Sequence, residues 1–180
     1  MTDLEAKQAI TEALYRYCRS MDRIDTELGY GVWHPDGTAL YSGIYEGSGR
    51  GFIDWVCEVH RGMEFTSHQV TNILIALDGD TATSEAYVTV RLRTSDTGSG
   101  RFNIMTTGRY LDRWSCRHGH WAIDHRQYLT DSSWTNPAPD PAAPGDPGDT
   151  EPTAGVPLLV PHPNRGDPSY SILGSVIGGG

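Results

Sequence analysis

The segment SHQVTNILIAL, residues 67–77, decides the fold, because it is the first of four long runs with the alternation of β-strands. The other three runs cover residues 82–94, 101–114 and 119–130. The connections between the four runs are short and contain Gly, as in Asp78-Gly79-Asp80, which is typical of hairpins. The pattern therefore predicts a meandering antiparallel sheet.

Upstream of the strands, apolar residues follow helical spacing. Thr2 or Asp3 can cap a helix that runs to about Met21, and residues 50–62 predict another helix. Between the two helices, Gly and Pro interrupt residues 24–37, and TALYSGIYEGSG has the pattern of a strand or hairpin arm. Helices followed by a long antiparallel sheet predict an α+β domain over residues 1–134.

The composition changes abruptly at residue 135. The stretch NPAPDPAAPGDPGDTEPTAGVP has almost no large apolar side chain and cannot form a core. The remainder of the chain regains apolar residues, so we interpret residues 135–180 as an extended C-terminal arm that docks across a subunit boundary. The side chains expected to dock are Leu158, Leu159, Val160, Tyr170, Ile172 and Leu173.

Charge and composition exclude several classes of protein. The formal net charge is -9 and the basic residues are scattered, which argues against nucleic-acid binding. No stretch approaches the roughly 18 apolar residues of a membrane span, and the charged N-terminus has no apolar leader, so a cytoplasmic protein is expected. The three cysteines lack the spacing of a disulfide or metal motif and are expected to be reduced thiols.

Asp22 and His68 form the residue pair with the clearest chemical meaning. Asp22 ends the first helix, where the helix dipole disfavours a negative charge, so its carboxylate is expected to have a partner. Arg19 is one candidate, which gives a structural ion pair, and His68 is the other. An Asp–His pair in an apolar cavity can take a proton from carbon, because the carboxylate orients the imidazole and stabilises the imidazolium.

His68 lies in a strand with apolar residues on both faces, which indicates that it is at least partly buried. Strict alternation puts Val70, Asn72, Leu74 and Ala76 on the same face as His68. A buried neutral histidine needs a partner for each ring nitrogen. If Asp22 takes one nitrogen, the other can act as a base. The alternative is a histidine that is simply satisfied in the core.

Three short motifs, in this order, resemble the SnoaL-like branch of the NTF2-like superfamily. They are YCRSMD at residues 17–22, SHQVTN at residues 67–72, and HWAI at residues 120–123. The resemblance covers about residues 3–134. It implies a cone-shaped α+β fold in which N-terminal helices pack on a curved antiparallel sheet around one cavity.

The resemblance also implies a chemistry. Asp22 and His68 match the catalytic dyad of lyases of the hexachlorocyclohexane dehydrochlorinase and bile-acid 7α-dehydratase type, and Tyr17 matches a tyrosine of the dehydratase. A homotrimer or dimer, a small hydrophobic substrate of polyketide or steroid type, and no metal or organic cofactor are implied. A dehydratase or related β-elimination is therefore expected. The alternatives are an isomerase or cyclase with the same dyad, and a non-catalytic ligand-binding protein.

Two tyrosines of the first helix compete for the cavity. Tyr15 and Tyr17 lie about 200° apart on a helix, so only one of them can face it. The resemblance favours Tyr17 as a catalytic residue that binds the substrate's carbonyl or leaving oxygen. Tyr15 is nearly eclipsed with Asp22, seven residues later, and is assigned to substrate binding.

Three other residues are assigned to substrate binding. Arg126 on the last strand is expected to stabilise an anion or enolate, or else to be a surface or structural arginine. Trp55 is expected to lie at the cavity rim, and Asn72 to share the face of His68. The spacing H-x-H-x4-H of His118, His120 and His125 could suggest a metal site. No carboxylate or Cys completes a ligand set, so metal binding is not expected.

Overall fold

The computed structural model describes residues 1–96, 98–139 and 162–173. The helices within these residues are α1 (Asp3–Asp22), α2 (Thr26–Tyr30), α3 (Gly49–Arg61) and α4 (Pro168–Leu173). The strands are β1 (Trp33–Tyr41), β2 (Tyr45–Ser48), β3 (Met63–Asp78), β4 (Thr81–Thr94), β5 (Phe102–Arg117) and β6 (His120–Pro137). In the described part of the chain, no helix is both long and apolar enough to cross a membrane.

The six strands form one curved, unclosed sheet in the order β2-β1-β6-β5-β4-β3. All neighbours are antiparallel except β1 and β6, which pair in parallel. The helices α1 and α3 pack on one face of this sheet and close the main core against it. The expected α+β cone is confirmed. The last strand continues to Pro137, three residues beyond the boundary that composition indicated.

The sequence of α1 sets which of its side chains point inward. A reciprocal capping box starts the helix: the Thr2 hydroxyl accepts from the Glu5 backbone N–H, and the Glu5 carboxylate accepts from the Thr2 backbone N–H. The apolar positions at helical spacing then form a buried face that includes Leu14, Tyr17 and Met21. Tyr17 is therefore carried into the core.

The start of α3 depends on a close approach to β1. Ser48 caps the helix by accepting from the Gly51 backbone N–H. At Gly49, a Cβ atom would lie 2.1 Å from the Trp33 ring. Any larger residue would push α3 away from β1 and would widen the space between the helix and the sheet. That space is where the cavity described below lies.

A β-bulge at Asn72 changes the face of β3. Thr71 pairs with Tyr87 and Leu74 with Glu85, so two residues of β3 lie opposite one residue of β4. Asn72 has a φ of 48°, in the left-handed region. Before the bulge, even-numbered residues such as His68 point inward; after it, odd-numbered residues do so. The expected face of Val70, Asn72, Leu74 and Ala76 is therefore wrong beyond Val70.

The described part of the C-terminal arm packs on the junction between α1 and α2. The buried carboxylate of Asp25 pairs with the Arg165 guanidinium at 3.1 Å and accepts a hydrogen bond from the Tyr170 hydroxyl at 2.8 Å. Burial alone would raise the pKa of Asp25, but these hydrogen bonds bring it below its usual value. Asp25 is thus the anchor for this segment.

Two arginines of α1 and its C-cap hold the same segment. The Arg19 guanidinium donates to the Ser169 hydroxyl at 2.9 Å and lies 4.7 Å from the centre of the Tyr170 ring. Arg23 lies 3.5 Å from the Asp167 carboxylate. The contacts are therefore mostly polar, between the arm and the helix that ends at Asp22.

The apolar docking expected for the arm across a subunit boundary stays a prediction for Ile172 and Leu173. Ile172 is 82% exposed and Leu173 is 39% exposed, so neither is anchored by burial on its own chain. Tyr170 does dock, through its hydroxyl and its ring face. Leu158, Leu159 and Val160 lie outside the described residues.

Candidate active site

Asp22 and His68 are joined by two hydrogen bonds. The Asp22 Oδ1 atom lies 2.7 Å from the His68 Nδ1 atom, and the Oδ2 atom accepts from the His68 backbone N–H at 3.0 Å. An ionised carboxylate can only accept, so Nδ1 carries the proton and Nε2 keeps its lone pair. One side chain thus sets both the backbone position and the tautomer of the histidine.

Asp22 bonds His68 and not Arg19, so the alternative of a structural ion pair between Asp22 and Arg19 is not observed among the described residues. The Arg19 guanidinium is engaged by Ser169 and the Tyr170 ring, on the side of the C-terminal arm. The Asp22 side chain is 16% exposed and lines an outer groove between α1 and β3. The carboxylate at the unfavourable end of the helix dipole therefore has His68 as its charge-compatible partner.

His68 lines both the outer groove and a cavity of about 430 Å³ that lies between the helices and the sheet and is open to solvent on one side. Its side chain is only 5% exposed. Aliphatic and aromatic side chains of α1, α3 and the sheet form most of the wall, which suits a small apolar molecule. The aromatic and imidazole members are Tyr17, Tyr41, Phe52, Trp55, His60, His68, Tyr110 and Tyr128.

Two hydroxyl groups meet in the wall of this cavity. Tyr17 and Tyr41 are both buried, and their phenolic oxygens share a short hydrogen bond. Burial raises the pKa of Tyr41 to about 12 and, together with the neighbouring Tyr41 and Tyr110, holds the pKa of Tyr17 well above its usual value. Both groups therefore remain neutral near pH 7, and because one hydroxyl donates to the other, the pair keeps one O–H proton that it can donate to a ligand.

Arg126 lies behind these tyrosines, which corrects its assignment to direct substrate binding. Its guanidinium makes two hydrogen bonds of 2.7 Å to Asp112, and both side chains are fully buried. The guanidinium carbon lies 4.2 Å from the Tyr17 ring centre and 4.0 Å from that of Tyr110. Arg126 is not among the cavity-lining residues, so it supports the tyrosines from within the core.

The other assigned residues divide between the cavity and the surface. Trp55 lines the cavity and is 40% exposed, consistent with a rim position. Tyr15 is 53% exposed and lines the outer groove, not the cavity, because it lies on the opposite side of α1 from Tyr17. Asn72 is exposed on the bulge, and its position relative to His68 is therefore also corrected.

Sequence reasoning missed four members of this region: Tyr41, His60, Tyr110 and Asp112. Tyr41 carried a usable signal, because it ends an alternating strand with Ala39. The signal for Asp112 was misleading. If the residues of β5 and β6 are paired outward from the turn at residues 118–119 without a bulge, Asp112 lies opposite His125. A register shift between Arg113 and Trp114 pairs it with Arg126 instead.

Two histidines of the last hairpin have partners other than a metal ion. Among the residues that the structure describes, no group of three or more His, Cys, Asp and Glu side chains could hold a metal ion. His120 and His125 have separate partners, the Gly31 carbonyl at 3.1 Å and the Thr38 hydroxyl at 2.8 Å. His118 lies in the turn between β5 and β6 with a φ of 55°.

Comparison with protein families shows what this arrangement is similar to. The family described as a SnoaL-like domain matches residues 2–127. No curated protein matches the chain. Solved structures do match, at low sequence identity.

Three solved structures illustrate this likeness of fold. A hexachlorocyclohexane dehydrochlorinase, LinA type 2, has a TM-score of 0.69 at 16% identity, over 79% of this chain and 97% of its own. A scytalone dehydratase-like protein from Novosphingobium aromaticivorans has a TM-score of 0.65 at 20% sequence identity, over 83% of this chain and 97% of its own. An NTF2-like superfamily protein from Salmonella enterica has a TM-score of 0.62 at 22% sequence identity, over 81% of this chain and 100% of its own.

Proposed function

The chain belongs to the SnoaL-like family, and on that premise we propose that it is a lyase of the dehydratase type. Its reaction is a β-elimination on a small hydrophobic molecule of polyketide or steroid type, with no cofactor. The observation that carries the proposal is the double hydrogen bond by which Asp22 orients His68 at the wall of the cavity. Neighbours of known fold include a dehydrochlorinase and a dehydratase-like protein.

In the proposed reaction, His68 is the base. Its Nε2 lone pair takes a proton from a carbon next to an activating group, and the electron pair of that C–H bond becomes the new C=C bond. The imidazolium that forms keeps its Nδ1–H bonded to the Asp22 carboxylate, whose negative charge stabilises it. The apolar wall strengthens this stabilisation because little water screens it.

The leaving group departs from the neighbouring carbon. The Tyr17–Tyr41 hydroxyl pair is the donor available for it, since both phenols stay protonated near pH 7. A phenol proton passes to departing hydroxide, which makes water, or hydrogen-bonds to departing halide. Arg126 keeps a positive charge within 4.2 Å of the Tyr17 ring and offsets the charge that develops on the phenol oxygen.

Isomerisation and ring closure begin with the same proton transfer, so the leaving group separates the candidates. A panel of cyclic β-hydroxy ketones and halogenated cyclohexanes in D2O tests both steps. Elimination converts a β-hydroxy ketone into a conjugated enone with loss of water, and a halogenated cyclohexane into a cyclohexene with release of halide, whereas isomerisation only exchanges or moves the C–H proton. The expected result is release of the leaving group in an amount equal to the unsaturated product formed.

The base is tested with His68→Ala against a matched histidine control, His118→Asn. His118 lies in an exposed turn with φ of 55°, a conformation that Asn tolerates. We expect His68→Ala to lose nearly all elimination and carbon-proton exchange, and His118→Asn to keep both. A fully active His68→Ala enzyme would overturn the mechanism. Binding of ligands without turnover by the unaltered protein would favour a ligand-binding role.

A further inference from the structure

A second histidine, His60, shares the cavity with His68 and has no role in the mechanism above. It comes from α3, is 4% exposed, and its ring centre lies 5.3 Å from that of His68. Both rings line the cavity, so the cavity wall carries two imidazoles side by side. A buried neutral imidazole has one ring nitrogen that donates and one that accepts, and each of them needs a hydrogen-bond partner.

The hydrogen bond of His60 fixes its tautomer. Its Nδ1 atom lies 3.4 Å from the Met21 carbonyl oxygen near the end of α1. A carbonyl only accepts, so Nδ1 must carry the proton, and Nε2 keeps a lone pair. His60 is thus an acceptor at Nε2, as His68 is.

The surroundings keep His60 neutral. Burial, and next the neighbouring His68, lower the pKa of His60 to about 4. The Met21 carbonyl and the more distant Asp22 carboxylate oppose this but do not outweigh it. Asp22 bonds the Nδ1 atom of His68 directly, whereas the Nδ1 atom of His60 faces the Met21 carbonyl, so His60 stays an acceptor at Nε2.

We propose that His60 is a specificity-determining residue, whose Nε2 atom accepts a hydrogen bond from a hydroxyl or N–H group of the ligand that is not the leaving group. This rests on the proposed function only in that the cavity binds the substrate. The cavity then has an acceptor side, formed by His60 and His68, and a donor side, formed by Tyr17 and Tyr41. A ligand with a donor near its acidic C–H bond fits this polarity. A neutral acceptor cannot assist a departing hydroxide, which needs a donor.

The test uses 2-naphthol and naphthalene, which differ by one hydroxyl group, with binding measured by calorimetry in four proteins. His60→Phe removes the acceptor at similar size, His60→Gln restores one, and Val59→Ala alters the same wall without a polar change. The quantity compared is the ratio of the two affinities. Relative to the unaltered protein, His60→Phe should shift this ratio about fivefold to tenfold against 2-naphthol, the size expected for one neutral hydrogen bond.

The controls separate acceptor loss from altered packing. His60→Gln and Val59→Ala should leave the ratio within about twofold of the unaltered protein, whatever they do to each affinity. An unchanged ratio in His60→Phe would overturn the proposal. Nitrogen-15 NMR of the histidines is a second, independent test that needs no variant. His60 should be neutral at pH 6 with the proton on Nδ1. A proton on Nε2 would also overturn it. Neither readout depends on elimination, so failure of the lyase proposal leaves both intact.

Discussion

Arg126 and Asp112 lie directly opposite each other on β6 and β5 and form a two-point ion pair with no exposure of either side chain. Burial would lower the pKa of Arg126, but Asp112 holds it well above its usual value. Tyr17 and Tyr110 cover the guanidinium with their ring faces. The donor side of the cavity therefore rests on a buried charge pair.

Removing one member of this pair should be costly. Asp112→Asn leaves the Arg126 charge in the core without a counter-ion, and we expect the free energy of unfolding to fall by about 3–5 kcal/mol. The measurement is urea denaturation followed by tryptophan fluorescence. The double variant Asp112→Leu/Arg126→Met removes both charges and should recover a large part of the loss. Equal losses in the single and double variants would contradict the charge argument.

Asp22→Asn tests the two hydrogen bonds by which Asp22 orients His68. The backbone N–H and the Nδ1–H of His68 are both donors, and an Asn side chain offers only one acceptor. Either the ring changes tautomer or one donor loses its partner. We expect kcat to fall about 10³–10⁴-fold, as for other orienting carboxylates, with thermal unfolding changed by only a few degrees. Activity close to that of the unaltered enzyme would show that orientation by Asp22 is unimportant.

His60 should make stability depend on pH. Its pKa in the folded protein is about 4, against 6.5 for an unperturbed histidine, so the unfolded chain binds more protons between these values. Stability is therefore lost as pH falls from about 6.5 to about 4, by an amount on the order of 3 kcal/mol. Urea denaturation at several pH values measures it. The slope over this window should be smaller in His60→Gln, and the same slope in both proteins would contradict the assignment.

The polar contacts of the C-terminal arm should be lost in acid. Hydrogen bonds from Tyr170 and Arg165 bring the pKa of Asp25 below 3.8 against the effect of burial, and a hydrogen bond from Ser169 lowers the pKa of Asp167. A lowered pKa in the folded state means that the contribution is present above about pH 4 and is lost as pH falls through the folded value. Fluorescence of a dye attached at residue 174 can follow release of the segment.

Asp25→Asn supplies the matched variant for this prediction. It removes the charge that pairs with Arg165 but keeps the shape of the side chain. The arm of this variant should be released already at pH 7, and its Tm should be lower than that of the unaltered protein. Deletion after Pro139 is the second comparison, because it spares β6, which ends at Pro137. Unchanged Tm in both would show that the arm adds no stability.

The sequence by itself predicted α1, α3 and the four long strands in their order, but not the short helices α2 and α4. Helical spacing with the capping residue Thr2 predicted α1, and four alternating runs with Gly-bearing turns predicted β3 to β6. These signals are local, because capping, periodicity and turn chemistry act within a few residues. Helical spacing also showed that Tyr15 and Tyr17 lie on different sides of α1, but the choice of Tyr17 as the inward side chain came from the family resemblance.

Only the tertiary structure decided which side chains face the cavity. The bulge at Asn72 reverses the inward face of β3, and the register shift in the β5–β6 hairpin brings Arg126, not His125, opposite Asp112. One extra residue in a strand moves every later side chain to the other face, and no local pattern announces it. The meeting of His60 with His68 and of Tyr17 with Tyr41 depends in addition on how α3 and β1 pack against α1, through contacts between residues distant in sequence.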